Sequence, residues 1–472
     1  MPLTIWWIRR DLRLHDNQAL QAALSHNTSI IPLFILDPAL LRSRYVGAKR
    51  LAFLFGGLRD LDRSLSARGS RLIIRHGTPV TVLKTLHDEL DITAIYAEED
   101  ISPYARERDT AIQQHLQLHL TPGVSILPIG SVRKDDGLPY TVYTPFNRRW
   151  QATCSISPSD LYEAPRKFHT PQHIASEAIP TTPAHPSSNP FPPGEAEANH
   201  RFAHFVQNQG HTLYDYAQNR NRPDIDGTSQ LSPYIRFGMI SVRRLALAAQ
   251  EAVRSAPHDA ARQGAQTWLD ELLWREFFQS ILHFFPHVRT SSYFPKYDGV
   301  EWRNDDANFA AWCEGRTGYP YIDAAMRQLA ETGWMHNRAR MAVASFLTKD
   351  LLIDWRWGEQ WFMQQLLDGD PASNNGGWQW TAGSGPNAAP YFRVMNPVTQ
   401  GEKFDAEGVF VRRWVTELSK VHTKYIHSPW LMPTSEQTRT RCVIGRDYPH
   451  PIVDHDLARE ATISAYKAAL NR

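Results

Sequence analysis

Short apolar runs separated by amphipathic stretches occupy the first third of the chain. The runs are LTIWWI (3–8), SIIPLFIL (29–36), RLIIRHG (71–77), ITAIYAEED (92–100) and VSILPIG (124–130). The stretches between them, such as AKRLAFLFGGLRDLDRSL and PVTVLKTLHDEL, repeat apolar positions at helical spacing. Strands that alternate with helices form a parallel sheet with helices on both faces, so the pattern predicts a doubly wound α/β domain. Its ligand crevice is expected at the carboxyl ends of the strands.

The pattern changes after residue 155. Nine of the 32 prolines fall between Pro158 and Pro193, and such a segment cannot hold a long helix or a central strand. From about residue 197 the remaining runs are helical and rich in aromatic residues, among them YIDAAMRQLAETGWMHNRARMAVASFLTKDLL. The sequence therefore predicts an α/β domain at 1–135, a proline-rich interdomain linker at 136–196 and an all-α domain at 197–472.

Composition excludes several classes of protein. The 3 cysteines are scattered without a CxxC pair, which argues against a disulfide framework, a zinc ribbon or an iron–sulfur cluster. Charged residues interrupt the first apolar run after Ile8, too early for a signal peptide or a membrane span, so we expect a cytoplasmic protein. We also expect no metal site. No GxGxxG follows the first strand, where a dehydrogenase would carry it. The net charge is only +2, so any nucleic-acid site must be a local patch.

The first candidate site is the segment TWLDELLWREFF. Trp268, Glu271, Trp274 and Arg275 are spaced i, i+3, i+6 and i+7, so on a helix they share one broad face. Buried ionisable groups are costly unless they are paired or bound to something polar, and this face therefore indicates a polar ligand. An ion pair within the helix, flanked by structural tryptophans, is an equally good interpretation.

The second candidate site is the segment ETGWMHNRARM. Trp334, Asn337, Arg338 and Met341 fall at i, i+3, i+4 and i+7, which would place an aromatic ring, an amide, a cation and a thioether on one helix face. The structural alternative is a capped helix with Met341 as core filler. His336 by itself is typical of a structural histidine.

Two further segments carry polar groups. In GTSQLSPYIRFG, three hydroxyl side chains precede a helical run, which suits a phosphate but is commoner as helix capping. In DGDPASNNGGWQW, aspartates and asparagines precede a predicted turn at Gly376-Gly377, and such groups suit the edge of a heteroaromatic ring. The APYFRVMNPVTQGEKFD segment then supplies Arg393 and Lys403, cations on a predicted loop that could meet a phosphate backbone.

Together and in this order, these segments closely resemble the DNA photolyase and cryptochrome family. The resemblance extends from IWWIRRDLRLHDN to YPHPIVDH, essentially the whole chain, and is greatest to bacterial class I enzymes that repair cyclobutane pyrimidine dimers. It implies a light-dependent lyase that acts on UV-damaged DNA. The protein is expected to be a monomer and to have no membrane partner. In this family, photoexcited reduced FAD passes an electron to the flipped-out dimer.

The resemblance also implies where the all-α domain holds FAD. The phosphate region would be bound by Tyr216, Thr228, Ser229, Leu231 and Ser232. The isoalloxazine and ribose region would be lined by Trp268, Arg275, Arg340, Asp368 and Asp370, with Asn374 facing the flavin N5. Further cofactor contacts would come from Glu271, Trp334 and Asn337.

A second set of residues is implied for the lesion and the DNA. The dimer pocket would be formed by Glu271, Trp274, Asn337, Met341 and Trp380. The DNA would be contacted by Trp274, Arg338, Met341, Trp380, Arg393 and Lys403, with the cations on phosphates. Electrons would travel between the flavin and the surface through Trp378, Trp355 and Trp302.

Three positions separate the branches of the family. Members that repair (6-4) lesions typically have histidines at the positions of Asn337 and Met341. Asn374, in place of aspartate or cysteine, fits a reduced anionic flavin and disfavours plant-like and insect-like sensory cryptochromes. A blue-light-sensing cryptochrome without repair activity is the alternative function. A nucleotide-binding protein without a flavin, such as a ligase or a dehydrogenase built on the first domain, is a third possible function. It would be colourless when purified.

The α/β domain of this family binds an antenna chromophore. The segments LFILDP and EEDISPYARERD resemble deazaflavin-binding members, which implies an 8-hydroxy-deazaflavin. Its contacts would be Leu36, Asp37, Arg50 and Asp100. Methenyltetrahydrofolate and FMN are alternatives, and Asp37-Pro38 also fits an ordinary turn at the end of a strand.

Overall fold

Five parallel strands form one sheet in the computed structural model, which describes residues 3–26, 29–207 and 213–471. In chain order, β1 to β5 are Leu3–Ile8, Ile30–Leu36, Ile73–His76, Ile92–Glu98 and Leu118–Thr121. Their spatial order is β3-β2-β1-β4-β5. The chain runs from the centre to one edge and then fills the other edge, which confirms the predicted doubly wound arrangement.

β1 and β2 form the centre of the sheet. They pair in parallel from Thr4 opposite Ile30 to Ile8 opposite Phe34, and every residue of both strands is buried. Strands in the middle of a doubly wound sheet are covered on both faces, so they need apolar side chains at nearly every position. This explains why both runs are continuous hydrophobic stretches in the sequence.

The strand predicted at 124–130 is wrong, because the fifth strand lies earlier, at Leu118–Thr121. The backbone N–H groups of Ile126 and Leu127 donate to the carboxylate of Glu276, at 3.0 and 3.3 Å, and not to a neighbouring strand. Burial raises the pKa of Glu276 to about 7. The apolar run alone does not reveal that its backbone N–H groups will donate to a carboxylate about 150 residues away in the sequence.

Most of the remaining described chain is helical. One compact unit comprises Met1–Ala217, Ser229–Pro286 and Leu367–Ala372, and a second comprises Gln218–Thr228, His287–Leu366 and Ser373–Arg472. The domain boundaries predicted at 135/136 and 196/197 stay predictions. Within the described ranges, no helix has the length and apolar character needed to cross a membrane.

The first unit packs its helices around the sheet and in a helical region that follows it. These helices are Gln18–His26, Pro38–Leu41, Ala48–Ser66, Pro79–Leu90, Pro103–Gln113, Tyr143–Thr153, Glu195–Gln207, Ser232–Arg236, Val242–Arg254 and Asp259–Phe284. The short helix Tyr216–Asn219 crosses from the first unit into the second. The predicted helical run that starts at Asn199 extends over residues 208–212, which lie outside the described residues.

The second unit is built from helices and 3₁₀ turns. Its α-helices are Asp306–Glu314, Pro320–Thr332, Asn337–Ser345, Trp355–Gln365, Pro397–Phe404, Val409–Trp414, Thr434–Thr440 and His455–Leu470, together with Pro371–Ala382, whose first two residues belong to the first unit. A π-helical turn, Phe346–Asp350, follows the third of them. The described part of this unit therefore agrees with the predicted all-α character.

The helical run predicted from Tyr321 onward is interrupted in the structure. Helix Pro320–Thr332 ends at Gly333, whose φ of 72° is in the left-handed region that favours glycine. The next helix begins after His336, whose Nδ1 accepts a hydrogen bond from the backbone N–H of Arg338 at 3.1 Å. Trp334 therefore precedes the helix, and the prediction that it shares a helix face with Arg338 is wrong.

The turn predicted at Gly376-Gly377 is also wrong, because helix Pro371–Ala382 continues through both glycines. Asp370 initiates this helix, since its Oδ1 accepts from the backbone N–H of Ala372 at 3.0 Å. Each glycine inside a helix costs about 1 kcal/mol relative to alanine, which packing elsewhere in the helix outweighs. A Cβ added at Gly377 would meet nothing within 4 Å, so the helix has open space beside this residue.

Candidate active site and nucleic-acid interface

The long helix Asp259–Phe284 carries four of the predicted site residues, Trp268, Glu271, Trp274 and Arg275. Trp268 is buried and packs against Phe205, with 5.3 Å between ring centroids. The same phenyl ring meets Tyr216 edge-on at 6.0 Å. The first unit thus brings together two residues predicted to contact FAD. Glu271 and Trp274 are half-buried, so they remain accessible to a ligand.

Three arginines of the first unit converge on the segment that contains Asp370. Arg10 Nη2 donates to Asp370 Oδ2 at 2.6 Å. Arg50 and Arg236 both donate to the carbonyl oxygen of Gly369, at 3.1 and 2.7 Å. The segment predicted to address the cofactor is therefore held in place by three cations, of which Arg50 is buried and Arg10 and Arg236 are partly buried.

The pKa values of these arginines shift in different directions: Asp100 and Asp370 raise that of Arg10, whereas burial lowers those of Arg50 and Arg236. Burial lowers the pKa of Arg50 to about 10 and that of Arg236 to about 9. Burial also lowers the pKa of Arg275, although Asp370 and Glu276 oppose this. Burial disfavours the charged form of a guanidinium group, and a nearby anion favours it. The donor set in the first unit therefore fits an anionic cofactor.

Sequence reasoning missed Arg10 and Arg236. Arg10 lies two residues after β1, at the strand end where a parallel sheet places its ligand crevice, and this position was an available signal. Arg236 lies 133 residues from Gly369 in the sequence, and no local pattern links the two.

The residues predicted for an antenna chromophore are Leu36, Asp37, Arg50 and Asp100, all in the first unit. Asp37 caps a short helix and accepts a hydrogen bond from the Tyr104 hydroxyl. Burial opposes ionisation of Asp100, but Arg10 and the backbone N–H of Ser102 lower its pKa to about 2. Arg10 lies 3.6 Å from Asp100 and also pairs with Asp370, so it connects a predicted antenna residue with a predicted FAD residue.

The segment predicted to bind the FAD phosphates forms a turn. Its members Thr228, Ser229, Leu231 and Ser232 lead into the short helix Ser232–Arg236. Gln230, in the middle of the turn, has a φ of 49°. The carbonyl oxygen of Leu231 accepts from the backbone N–H of Ile235 at 2.9 Å, as expected for a helix start. The phosphate role of this turn stays a prediction.

Helix Asn337–Ser345 of the second unit begins with Asn337 exposed. Arg340 bends back, because its Nε donates to the carbonyl oxygen of Met335 at 2.8 Å. Met341 is half-buried, and its sulfur lies 3.8 Å from Nη1 of Arg338. Asn337, Arg338 and Met341 thus lie on one helix, as the sequence predicted for these three side chains.

Three predicted DNA-contacting cations line one groove of about 390 Å³ in the second unit. They are Arg338, Arg393 and Lys403. Arg338 lies over the ring of Phe404, 4.5 Å from its centroid, and donates to the side-chain oxygen of Asn221. Lys403 is in the last turn of helix Pro397–Phe404, which corrects its predicted placement on a loop. The tertiary structure therefore assembles a local basic groove in a chain of nearly neutral charge.

Asn374 is held by its amide nitrogen. Nδ2 donates to the carbonyl oxygen of Glu359 at 3.0 Å, and the Glu359 carboxylate is paired with Arg289 at 2.6 Å. This orientation leaves the side-chain oxygen of Asn374 as the group that can accept from a ligand N–H.

The three tryptophans predicted for electron transfer belong to one hydrophobic cluster of the second unit. Trp355 and Trp378 are 1% and 2% exposed, and Trp302 is partly buried against the same cluster. A Cβ added at Gly358 would come within 2.1 Å of the Trp378 ring, so glycine is required for this packing. Trp380, two residues further along the same helix, is half-buried.

Two family models match most of the chain. One, described as DNA photolyase, matches residues 4–168, and the other, described as the FAD binding domain of DNA photolyase, matches residues 268–468. A deoxyribodipyrimidine photo-lyase of Synechococcus sp. is 40% identical over 99% of this chain and 97% of its own length. The chain belongs to the DNA photolyase family. The family prediction is confirmed, and the FAD-binding domain supports FAD as the cofactor of this photolyase.

Solved structures of photolyases and of a cryptochrome resemble this chain over nearly its full length. A bacterial class III photolyase from Agrobacterium tumefaciens has a TM-score of 0.92 and 36% identity, covering 100% of this chain and 98% of its own. An archaeal photolyase from Sulfolobus tokodaii, which contains two FAD molecules, has a TM-score of 0.84 and 32% identity, covering 99% and 100%. A Synechocystis cryptochrome has a TM-score of 0.88 and 28% identity, covering 98% and 99%.

Proposed function

We propose that this photolyase is a deoxyribodipyrimidine photo-lyase, a light-dependent enzyme that splits cyclobutane pyrimidine dimers in UV-damaged DNA. The curated relatives of similar length carry this name. The structural observation that carries the proposal is the groove in which Arg338, Arg393 and Lys403 lie together, with Met341 in contact with Arg338. Cations in one groove suit a phosphate backbone, and a thioether beside them suits an unstacked base.

The residues of the first unit would hold the anionic parts of FAD. Arg50 and Arg236 converge on the Gly369 carbonyl oxygen, and Arg275 lies on the long helix of the same unit, so these guanidinium groups would supply positive charge to an anionic group. Trp268 and Tyr216, already packed against a common phenyl ring, would supply apolar contact. When bound, photoexcited reduced FAD supplies the electron that splits the dimer.

Asn374 would select the reduced form of the flavin. Its amide nitrogen is occupied by the Glu359 carbonyl oxygen, so its own side-chain oxygen would accept from an N–H group at the flavin N5 position. An aspartate at this position would place a negative charge beside an anionic ring. The neutral amide therefore favours the form that repair requires.

The dimer itself would be bound by flat rings and one carboxylate. Trp274 and Trp380 are half-buried indoles, and stacking of a base on such a ring is worth about 1–3 kcal/mol. Glu271 would accept hydrogen bonds from the pyrimidine imide groups, and its charge-assisted bonds would be stronger than those of a neutral amide. Asn337, exposed at the start of its helix, would add an amide contact. A damaged pair stacks poorly, which lowers the cost of flipping it out of the duplex.

An antenna chromophore in the α/β part of the first unit is a further proposal. The resemblance favours an 8-hydroxy-deazaflavin near Asp37, Arg50 and Asp100. The second FAD of the Sulfolobus tokodaii photolyase makes a flavin the next candidate. The absorption spectrum of chromophores released from the purified protein would decide between them, and it would also show FAD.

The repair activity has a direct test. The reduced protein is mixed with single-stranded DNA that contains thymine dimers, exposed to blue light, and assayed for restored thymines. We expect restoration in the light and none in the dark. A matched Glu271→Gln variant should bind the same DNA and repair it more slowly. Absence of restoration by the wild-type protein would exclude the enzyme and favour a blue-light-sensing cryptochrome.

A further inference from the structure

One face of Trp274 is covered by the ring of Tyr143. The two ring centroids are 3.8 Å apart and the ring planes differ by 5°. Tyr143 is the first residue of helix Tyr143–Thr153, and both residues belong to the first unit. Aromatic pairs usually prefer offset or edge-to-face arrangements, with centroids about 4.5–7 Å apart. So close an overlap indicates that other contacts hold the two rings together.

Hydrogen bonds tie Tyr143 to the helix that carries Trp274. The Tyr143 hydroxyl donates to the carbonyl oxygen of Asp270 at 2.9 Å, one helical turn before Trp274. Asn147 Nδ2 donates both to the Tyr143 hydroxyl oxygen, at 3.0 Å, and to Asp270 Oδ1, at 2.9 Å. The tyrosine ring is therefore fixed relative to the backbone beneath the indole.

Two phenylalanines bound the indole on other sides. Phe277 meets Trp274 edge-on at 5.7 Å and Tyr143 at 6.0 Å. Phe278 meets Trp274 at 5.6 Å with the ring planes tilted by 35°. Trp274 nevertheless stays half-buried, so part of the indole remains accessible. The contacts restrict its side-chain torsions without enclosing it.

We propose that Tyr143 is a positioning residue for lesion recognition, which fixes Trp274 in the orientation that takes the flipped-out dimer. The inference rests on the proposed role of Trp274 in binding the dimer. A ring that is already ordered loses less conformational entropy on binding, so the complex is tighter than with a mobile ring. The effect is specific to damaged DNA, because phosphate contacts do not depend on this indole.

The test uses the FAD-containing protein and two substitutions of Tyr143. Tyr143→Leu removes the covering ring, and we expect dimer-containing DNA to bind about three- to tenfold more weakly, the effect of losing one aromatic pair. Tyr143→Phe keeps the ring and should recover most of the affinity. Affinity for undamaged DNA should be unchanged in both. Tyr140→Leu is the matched control, because the ring of Tyr140 contacts Phe146 and should not influence dimer binding.

A double-mutant cycle with Trp274→Ala separates positioning from general structural damage. If Tyr143 acts through the indole, Tyr143→Leu should cause no further loss of dimer affinity when Trp274 is already alanine. An equal loss in both backgrounds would overturn the inference, as would wild-type affinity in Tyr143→Leu or equal weakening for damaged and undamaged DNA. Should Tyr143→Leu fail to retain FAD, Tyr143→Met removes the covering ring with a longer side chain that fills more of its space. Wild-type dimer affinity in that variant would also overturn the inference.

The outcomes distinguish this inference from the proposed function. Wild-type protein that restores no thymines under blue light would remove the proposed function. Wild-type protein that repairs normally, while Trp274→Ala binds the dimer normally, would remove the role of Trp274 and the positioning inference with it. Weak dimer binding by Trp274→Ala with normal binding by Tyr143→Leu would remove the Tyr143 inference alone.

Discussion

Arg338 donates two hydrogen bonds to one acceptor, the side-chain oxygen of Asn221. The oxygen is 2.5 Å from Nη2 and 3.1 Å from Nε, and both residues line the basic groove of the second unit. The Phe404 ring lies beneath the same guanidinium, 4.5 Å from its centroid. An amide and an aromatic ring thus hold in place a cation that we propose to contact a DNA phosphate.

Replacement of Arg338 should weaken DNA binding without changing the preference for damaged DNA. One lost phosphate contact should reduce the slope of log affinity against log salt concentration by about 1, for damaged and undamaged strands alike. Asn221→Ala should also weaken DNA binding, but by less, because the Arg338 cation remains and is only less ordered. Binding titrations at several salt concentrations measure the slope. Arg439→Ala, an exposed arginine paired with Glu436, is the control and should leave the slope unchanged.

Trp378 and Trp380 lie on one helix and should have separable roles. Trp378 is buried in the hydrophobic cluster with Trp355, so Trp378→Phe should slow photoreduction of the flavin and leave dimer binding intact. Trp380 is half-buried, so Trp380→Phe should weaken dimer binding and leave photoreduction intact. Absorbance changes under blue light and titration with dimer-containing DNA measure the two properties. The same defect in both variants would show that the division is wrong.

The buried ion pair between Arg10 and Asp370 should matter much more for stability than an exposed one. Burial alone would lower the pKa of Arg10, but Asp100 and Asp370 raise it, so the guanidinium stays charged and needs its partners. Asp370→Asn removes one partner of a buried pair, and we expect a loss of about 3 kcal/mol, the lower end for such changes because Asp100 remains. Arg254→Ala breaks a pair with 63% and 65% exposed side chains and should cost less than about 0.5 kcal/mol. Denaturant unfolding measures both, and equal losses would contradict the assignment.

His336 should make the folded state sensitive to acid. Burial first, and then the nearby Arg338, Arg340 and Arg220, lower its pKa from 6.5 to about 3, while Asp224 opposes the shift. Below pH 6.5 the unfolded chain binds a proton at this histidine and the folded chain does not. The associated stability is therefore complete above pH 6.5 and falls by about 1.4 kcal/mol per pH unit down to about pH 3.

The comparison of wild type with His336→Asn isolates this effect. Asparagine can still cap helix Asn337–Ser345 but does not titrate, so the variant should lose stability less steeply between pH 6 and pH 4. Unfolding free energies at a series of pH values give the two slopes. Parallel slopes would show that His336 does not titrate as its burial indicates.

Much of this protein can be inferred from its sequence because the relevant signals are local. The runs at β1 and β2 are continuously apolar because both faces of a central parallel strand are covered, and that requirement is visible in the sequence. The long segments that identify the family combine tryptophan with amide and charged groups in a way that core packing does not demand. Fold class, family and FAD were therefore predictable.

Only the tertiary structure decided which distant groups meet. The run at 124–130 gives its hydrogen bonds to Glu276, and the glycine pair continues a helix because surrounding packing outweighs the cost of glycine. Arg236 holds the Gly369 carbonyl from 133 residues away, and Tyr143 reaches the Asp270 carbonyl from 127. Buried polar groups in a folded chain are almost always hydrogen-bonded, and close packing determines which distant group is the partner. The periodicity of the sequence does not contain that information.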